Sequence, residues 1–233
     1  MSWQLHSFKV REELYAACAQ ALERAICSAL LERGRAQLAL AGGSTPLPIY
    51  RLLSEASLDW KLLTIVPTDE RWVDSSHPAC NLRQLKSCFP QHAQMHWLAL
   101  VPEPGKQGVH AQFANQTLAV WPNAFDAVLL GMGLDAHTAS LFPGAPGVAE
   151  ALDLHAPLDA HAITPVSLPT EAPYPRISLS AARLLRSRVQ ILPITGTEKY
   201  TVFERASVRD DPALPISRLL HAPGAQLKVY WSP

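Results

Sequence analysis

The sequence has few charged residues and no excess of either sign. Charged residues make up 17% of its 233 positions, and 20 lysines and arginines balance 20 aspartates and glutamates. Average domains carry roughly 25% charged residues, and proteins that bind nucleic acid usually show a basic excess. We therefore expect a protein that binds neither nucleic acid nor a membrane surface. The hydrophobic share of 48% excludes disorder as a description of the whole chain.

Cysteine is scarce as well. The chain has four cysteines, which form no C-x-x-C pair and have no histidine at zinc-finger spacing. The opening residues, MSWQLHSFKVREEL, lack the apolar core of a secretory signal, and no run of 18 apolar residues occurs. These absences predict a cytoplasmic protein with no zinc motif and no membrane span.

Short apolar runs alternate with helical periodicity along the whole chain. Residues 37–41 are typical of a buried strand, and residues 11–33 carry apolar side chains at three- and four-residue steps. This alternation predicts parallel βαβ units in a single layered α/β domain over residues 1–233. Further strands are predicted near residues 62–66, 95–98, 125–130, 162–167, 189–194 and 226–231. Further helices are predicted from residue 46, over 82–88, 107–120, 180–186 and 198–206, and from near Thr138.

Glycines and hydroxyl side chains follow the first of these strands, in Gly42-Gly43-Ser44-Thr45-Pro46. In open α/β sheets, ligands bind at the carboxyl ends of the strands. Backbone N–H groups, two hydroxyls and a helix N-terminus suit a phosphate. A tight turn in which Ser44 or Thr45 caps the helix is an equal alternative at this point. The segment is neither a P-loop nor a nucleophile elbow, because both glycine patterns are absent.

Charged side chains follow the next strand, in Thr68-Asp69-Glu70-Arg71. An acidic pair and an arginine at this place could orient hydroxyls or a carbonyl, although a solvated loop is the plainer interpretation. Two further cations, Arg176 and Lys199, lie in later loops and could close over one phosphate. The alternative interpretation is that Arg176 and Lys199 are ordinary surface charges.

The segment Gly131-Met132-Gly133-Leu134-Asp135-Ala136-His137 follows the strand predicted at 125–130. Its glycines and Ala136 imitate a dinucleotide-binding fingerprint. NAD is disfavoured, because the segment comes late in the chain and Glu150, the candidate ribose contact, lies in a stretch broken by Gly and Pro. A histidine two residues after Asp135 suits general-base chemistry near neutral pH, and a structural histidine is the alternative.

Together these segments resemble the 6-phosphogluconolactonase family, in order and spacing and over nearly the whole chain. The resemblance implies a three-layer α/β/α sandwich with a mainly parallel, Rossmann-like sheet. It also implies a cytoplasmic monomer that needs no metal or organic cofactor and hydrolyses 6-phospho-D-glucono-1,5-lactone in the oxidative pentose phosphate pathway. The matching pieces are AGGSTPLPIYRLL (41–53), VPTDERWV (66–73) with Asn81, LLGMGLDAHTASLFPG (129–144), PRISLS (175–180) and ITGTEK (194–199).

The reaction then assigns tasks to the candidate residues. Lactone hydrolysis needs an activated water, a stabilised oxyanion and a protonated leaving oxygen. We expect His137 to be the general base, Asp135 to orient it, and Arg71 to contact the carbonyl or a hydroxyl. Asp69 is expected to hold sugar hydroxyls. The phosphate is expected to bind Gly42, Gly43, Ser44, Thr45, Arg176 and Lys199.

Two other functions stay open. One is a related sugar-phosphate deaminase or isomerase. In those enzymes the segment that contains the histidine resembles G-H-I-A-F-N-E-P-G, with a glutamate, whereas the present chain has Ser140-Leu141-Phe142-Pro143 after its histidine and no glutamate there. The other is a weakly active sugar-phosphate binding protein. The family usually has glycine where this chain has Ala136, and a positive φ at that position would cost an alanine on the order of 1 kcal/mol.

Overall fold

The strands of the chain form two sheets in the computed structural model, which describes residues 3–103, 108–166 and 174–233. In chain order they are β1 (Trp3–Ser7), β2 (Ala36–Leu40), β3 (Leu63–Pro67), β4 (Asp69–Arg71), β5 (His96–Trp97), β6 (Ala127–Leu129), β7 (Ala160–Ile163), β8 (Arg176–Leu179), β9 (Gln190–Thr195) and β10 (Leu227–Ser232). The larger sheet has the order β1-β10-β9-β6-β2-β3-β5, and every neighbouring pair in it is parallel.

The strand order of the larger sheet reverses between β2 and β6, which are neighbours in the sheet although β3 and β5 come between them in the chain. From β2 the chain runs outward to β3 and β5 on one side, and later to β6, β9 and β10 on the other. A crevice opens outside the carboxyl ends of the strands at such a switch point, so the segments that follow β2 and β6 face the same space. The N–H group of Ala41 donates to the carbonyl oxygen of Leu129 at 2.9 Å, which fixes these two strand ends together.

Helices cover both faces of the larger sheet. In chain order they are α1 (Arg11–Arg33), α2 (Pro46–Leu53), α3 (Asn81–Ser87), α4 (Gln112–Ala119), α5 (Val148–Leu152), α6 (Ala181–Leu185), α7 (Thr197–Val208) and α8 (Ile216–Leu220). Side chains of α1, α2 and α3 pack on Leu38 and Leu40 of β2, whereas those of α4–α8 share the opposite core with Ala39. Alternate strand residues therefore face opposite layers, and the predicted three-layer α/β/α sandwich is confirmed.

Helix α1 follows the predicted bounds of residues 11–33. Leu14, Leu22 and Ile26 are fully buried against the sheet, and burial of such a side chain contributes roughly 1.5–3 kcal/mol. The helix ends at Gly34, whose φ of 67° lets its N–H group donate to Leu30. By length and composition alone α1 could also cross a membrane, but its buried face is that of a core helix.

A second, antiparallel sheet has the order β4-β8-β7 and stands beside the carboxyl ends of the larger sheet. Thr68 joins the two sheets, because its N–H group donates to Leu40 of β2 and its carbonyl oxygen accepts from Leu179 of β8. The segment interpreted as a solvated loop is therefore partly strand β4, and Asp69 and Glu70 are buried.

Three sequence predictions differ from the structure. The helix expected from near Thr138 is wrong: Thr138 forms an antiparallel bridge with Leu141, and the next helix begins at Val148. The helix expected over residues 107–120 begins at Gln112, and residue 107 lies outside the described part. The strand expected near 162–167 is Ala160–Ile163, and residue 167 is likewise not described.

Candidate active site

A cavity of about 330 Å³ opens at the switch point of the larger sheet. It lies beyond the ends of β2, β6 and β9, and strands β4 and β8 of the smaller sheet form its side wall. Every predicted site residue except Asp135 lines it, and Asp135 contacts the His137 that does. The lining residues among those predicted are Gly42, Gly43, Ser44, Thr45, Asp69, Arg71, His137, Arg176 and Lys199.

The loop after β2 lines one side of the cavity. Gly43 adopts a φ of 98°, which favours glycine. Neither Ser44 nor Thr45 caps α2: Thr45 occupies the N-cap position, but its side chain makes no capping hydrogen bond. The alternative interpretation is thus right in placing Thr45 at the N-cap and wrong only about the side-chain hydrogen bond. Both residues line the cavity, where their hydroxyls can meet an anion at the start of α2.

Pairing of β4 with β8 places two cations side by side. Arg71 is the direct cross-strand partner of Arg176, so both side chains leave the sheet on the same face. Arg176 is only 4% exposed, and this burial lowers the pKa of its guanidinium. The charge of Asp69 opposes that shift, and the charge of Arg71 adds to it. Like charges at paired positions are unfavourable unless an anion lies between them.

Asp69 is buried beneath these arginines. Its carboxylate accepts hydrogen bonds from the Oγ of Ser140 at 2.5 Å and from the Oγ1 of Thr68 at 3.3 Å, and Nη1 of Arg176 lies 3.9 Å away. Both carboxylate oxygens therefore have protein partners, and the carboxylate helps to place Arg176. The expected contact of Asp69 with sugar hydroxyls stays a prediction.

Glu70, on the opposite face of β4, holds the start of α3. Its carboxylate accepts from the backbone N–H groups of Arg71, Asn81 and Leu82 at 2.7–2.8 Å. Burial raises the pKa of Glu70, although these hydrogen bonds oppose the shift. Glu70 belongs to the acidic pair that could orient hydroxyls or a carbonyl, but its carboxylate binds these backbone groups instead. A glutamate ahead of a helix start is the signal that could have indicated this role.

Asn81 links the smaller sheet to the glycine loop. Its Nδ2 donates to the carbonyl oxygen of Asp69 at 2.8 Å. Its Oδ1 lies so close to Gly42 that a Cβ on this glycine would be 2.3 Å away, so no other residue fits there without a shift. The amide thus fixes the distance between the expected phosphate loop and the strand that carries Asp69 and Arg71.

The loop after β6 presents His137 to the cavity. The Nδ1 atom of His137 lies 2.6 Å from the Oδ1 of Asp135, and the backbone N–H group of His137 donates to the same oxygen at 3.2 Å. Burial alone would raise the pKa of Asp135, but the hydrogen bonds from His137 outweigh it and lower that pKa. With Nδ1–H donated to the carboxylate, Nε2 carries the lone pair, and it has no hydrogen-bond partner among the described residues.

Two alanines in this loop have left-handed backbones. Ala136 has a φ of 65° and Ala139 a φ of 48°. The N–H group of Ala136 donates to Gly133 at 3.1 Å, and its carbonyl oxygen accepts from the N–H group of Ile216 at 3.0 Å. The positive φ at position 136 is therefore held from two sides, and it directs the following residue, His137, to the cavity.

Lys199 lies in the first turn of α7, after Gly196 with its φ of 88°. Burial lowers the pKa of its ammonium. Within residues 3–103, 108–166 and 174–233, no carboxylate forms an ion pair with it, although it lines the cavity. A partly buried cation of this kind favours an anionic ligand.

Side chains that could hold a metal ion are not grouped in the described part of the chain, where no three His, Cys, Asp or Glu residues come together. The cavity instead combines a histidine–aspartate pair, three cations and a glycine loop. This set can bind a phosphorylated molecule at one end and remove a proton from water at the other.

Comparison with known proteins gives the same picture. A family model described as glucosamine-6-phosphate isomerases/6-phosphogluconolactonase matches residues 9–231. A 6-phosphogluconolactonase from Pseudomonas aeruginosa is 34% identical over 88% of this chain and 85% of its own, and one from Mesorhizobium japonicum is 34% identical over 100% and 96%. The crystal structure of a 6-phosphogluconolactonase from Shewanella baltica superposes with a TM-score of 0.89 at 32% identity, covering 98% of this chain and 97% of that one. This chain belongs to the family of glucosamine-6-phosphate isomerases and 6-phosphogluconolactonases.

Proposed function

We propose that the protein hydrolyses 6-phospho-D-glucono-1,5-lactone to 6-phospho-D-gluconate, the lactone-opening step of the oxidative pentose phosphate pathway. The observation that carries this conclusion is the His137–Asp135 pair, in which the free Nε2 of the imidazole belongs to a side chain lining a cavity with cations on its wall. The relatives that match nearly the whole chain carry the same activity in their names.

His137 acts first as a base. Its Nε2 takes a proton from a water molecule while the oxygen attacks the lactone carbonyl carbon, and Asp135 stabilises the imidazolium that forms. The carbonyl becomes a tetrahedral oxyanion, which Arg71 faces with its guanidinium. Nη1 of Arg71 donates to the carbonyl oxygen of Ala79 at 2.8 Å, which fixes the side chain before substrate arrives.

The same imidazole then acts as an acid. As the oxyanion collapses, the bond from the carbonyl carbon to the ring oxygen breaks, and the imidazolium of His137 returns its proton to that oxygen. The product is an open-chain carboxylic acid, which ionises at neutral pH. No covalent enzyme intermediate is needed, because a lactone is an activated ester.

The phosphate anchors the substrate at the other end of the cavity. A phosphate monoester carries about −1.5 to −2 charges at neutral pH, which two cations can balance. Arg176 supplies a fixed planar donor and Lys199 a mobile one, while Ser44, Thr45 and the amides of the glycine loop supply neutral donors. Asp69 supports Arg176 from below and meets sugar hydroxyls from its cavity side.

We further propose that the chain works as one domain, as a cytoplasmic monomer that binds neither nucleic acid nor membrane and needs no cofactor. The balanced charge of 20 against 20 supports the first exclusion. The two cores on opposite faces of the larger sheet support a single folding unit. Light scattering behind size exclusion tests the monomer directly.

A coupled assay tests the activity. Glucose-6-phosphate dehydrogenase generates the lactone, and its decay is followed with and without the protein. We expect decay well above the spontaneous rate, and no ammonia from glucosamine 6-phosphate. Decay at the spontaneous rate together with tight binding of 6-phosphogluconate would identify a sugar-phosphate binding protein instead, and ammonia release would identify a deaminase.

A further inference from the structure

The guanidinium of Arg71 depends on one backbone carbonyl group for its place. Within residues 3–103, 108–166 and 174–233 it makes one hydrogen bond, from Nη1 to the carbonyl oxygen of Ala79 at 2.8 Å, and it forms no ion pair. Its buried Nε has no hydrogen-bond partner there. Because Arg71 lines the cavity and is expected to face the oxyanion, whatever fixes Ala79 also fixes this cation.

His77 fixes Ala79 in two ways. Its Nδ1 accepts from the N–H group of Ala79 at 3.1 Å, and its carbonyl oxygen accepts from the N–H group of Cys80 at 3.0 Å. These bonds hold the peptide groups on both sides of Ala79, including the one whose oxygen binds Arg71. Because a neutral imidazole carries one proton, acceptance at Nδ1 places that proton on Nε2.

The other edge of the His77 ring meets Tyr174. Its Nε2 lies 3.4 Å from the Oη of Tyr174, and the ring centroids are 5.2 Å apart with 75° between the planes, an edge-to-face arrangement. The carbonyl oxygen of Tyr174 in turn accepts from the Nε of Arg176 at 3.1 Å. One histidine ring therefore contacts both a residue that holds Arg71 and a residue that helps to hold Arg176.

The contact of His77 with Tyr174 joins segments that lie 97 positions apart in the chain. Pairing of β4 with β8 already places Arg71 opposite Arg176. Strand pairing fixes the two backbones, but it does not fix the direction of two long side chains with many rotamers. The carbonyl groups of Ala79 and Tyr174 set those directions, and the His77 ring fixes these carbonyl groups relative to each other.

We propose that His77 is a positioning residue for both cations: its imidazole connects the support of Arg71 to the support of Arg176 and so sets the distance between the two guanidinium groups. Neither His77 nor Tyr174 lines the cavity, so both act through the arginines. This inference rests on the proposed lactone hydrolysis, in which Arg71 faces the oxyanion and Arg176 binds the phosphate. It adds that a side chain outside the cavity serves both tasks.

Two substitutions of His77 separate its two contacts. His77→Asn keeps an acceptor, because the Oδ1 of an asparagine can accept from the N–H group two residues on, but it removes the ring that meets Tyr174. His77→Phe keeps a ring but offers no acceptor to Ala79. We expect His77→Phe to lower kcat about three- to tenfold and to keep the affinity for 6-phosphogluconate within about twofold. We expect His77→Asn to weaken that affinity about three- to tenfold and to keep kcat within about twofold.

Steady-state kinetics with generated lactone gives kcat, and calorimetry with 6-phosphogluconate gives the affinity. A loss mainly of turnover in His77→Phe, together with a loss mainly of affinity in His77→Asn, supports the proposal. Any other pattern, including equal losses in the two variants or no loss in either, would overturn it. A merely structural role of this loop would change both quantities together.

His92 supplies a matched control, because it is another half-buried histidine with an aromatic neighbour and a backbone partner. Its ring stacks on Trp60 with 4.1 Å between centroids, and its Nε2 lies 2.8 Å from the carbonyl oxygen of Ser54. None of these three residues lines the cavity. His92→Asn and His92→Phe should lower the melting temperature but keep kcat and the affinity within about twofold. Kinetic losses like those at position 77 would contradict the proposal.

Tyr174→Leu covers the case in which substitutions at position 77 prevent folding. It removes the phenol and leaves His77 in place, so the affinity for 6-phosphogluconate should fall about threefold or more while kcat stays within about twofold. In the double variant, His77→Asn should add less than about twofold to this loss, because the contact is already gone. An unchanged affinity in Tyr174→Leu, or independent losses in the double variant, would contradict the proposal.

The proposal and the function on which it rests fail in different ways. If the wild-type protein does not accelerate lactone decay, the proposed function is wrong, whatever position 77 contributes. If the wild type is active and both His77 variants keep its kcat and its affinity, the function stands and the role of His77 is wrong.

Discussion

The imidazole of His137 lies directly against the backbone of Gly133: a Cβ built on this glycine would be 2.3 Å from both Nδ1 and Cε1 of the ring, and 2.5 Å from the Oδ1 of Asp135. Real Cβ atoms do not approach that closely, so any side chain at position 133 must displace the histidine or the aspartate. Gly131, two residues earlier, has only the Cβ of Ala41 in range, at 3.7 Å, which is an ordinary contact.

The first prediction compares these two glycines. Gly133→Ala should lower kcat by about 100-fold or more, because a displacement of 1 Å at a catalytic group costs on the order of 100-fold in rate. Gly131→Ala should lower it by less than about fivefold. Steady-state kinetics with generated lactone measures both. Equal losses would show that loop flexibility, and not the ring contact, matters.

The second prediction concerns the base itself. His137→Ala should lower kcat by about 100- to 10,000-fold, the usual contribution of general acid–base catalysis. Binding of 6-phosphogluconate should change by less than about threefold, since the phosphate ligands are untouched. Near-normal turnover in this variant would remove His137 from the mechanism.

The third prediction uses the lowered pKa of Asp135. A carboxyl whose pKa is depressed by folding stabilises the native state above its ordinary value of about 4, and this contribution disappears as the pH falls through the folded value. Asp135→Asn should therefore be less stable than the wild type at pH 7. The difference between the two proteins should shrink as the pH falls through the lowered pKa of Asp135. Urea unfolding at pH 7 and at a series of acidic pH values gives the comparison, and a constant difference would contradict the linkage.

The fourth prediction separates binding from chemistry at Lys199. Lys199→Ala should raise KM about tenfold or more and leave kcat within about threefold, because the phosphate is bound equally in the ground and transition states. Lys61→Ala is the matched control. The Lys61 side chain is 59% exposed and pairs with Asp59 at 3.3 Å. It precedes the first residue of β3 and so lies at the amino ends of the strands, whereas the cavity lies at their carboxyl ends. A kcat loss at unchanged KM would be incompatible with phosphate anchoring.

The lowered pKa of Lys199 also predicts a pH effect on that binding. As the pH rises through the lowered value, the ammonium loses its proton and affinity for 6-phosphogluconate should fall. Lys199→Arg keeps its charge at such pH values and should lack this alkaline limb. Calorimetry with the stable product avoids the hydrolysis of the lactone at alkaline pH.

The fifth prediction addresses Ala136 and its φ of 65°. Glycine there would remove roughly 1–2 kcal/mol of backbone strain, but it would lose a fully buried methyl worth about 0.8 kcal/mol and increase the entropy of the unfolded chain. Ala136→Gly should thus change the free energy of unfolding by less than about 1 kcal/mol, and kcat by less than about threefold. A large gain in activity would show that the alanine impairs this site.

Much of the site could be predicted because ligands gather at the carboxyl ends of parallel strands. That rule directed attention to the loop after residue 41, to Asp69 and Arg71, to His137, and to Arg176 and Lys199 in later loops. The family resemblance then indicated one reaction in which these residues act together. The structure brings all of these residues to one cavity; their separate tasks in the reaction stay predictions.

The parts that could not be predicted depend on contacts between distant segments. Strand β4 is three residues long and fully polar, so its sequence resembles a loop, and only its pairing with β8 makes it a strand. The helix expected from near Thr138 fails because Ala136 and Ala139 take left-handed φ values that helical periodicity does not register. The close fit of Asn81 against Gly42 joins residues 39 positions apart and leaves no local signal.

Because Arg71 and Arg176 are paired in the smaller sheet, a bound anion should contribute to the stability of the native state. Arg71 and Arg176 face each other across β4 and β8, where the charge of Asp69 offsets part of their repulsion. An anion bound between the two guanidinium groups would offset more of it. A phosphorylated sugar that fills the cavity at 100 times its dissociation constant adds about 2.7 kcal/mol to native-state stability. The lifetime of this protein against unfolding and proteolysis should therefore rise and fall with the concentration of phosphorylated sugar around it.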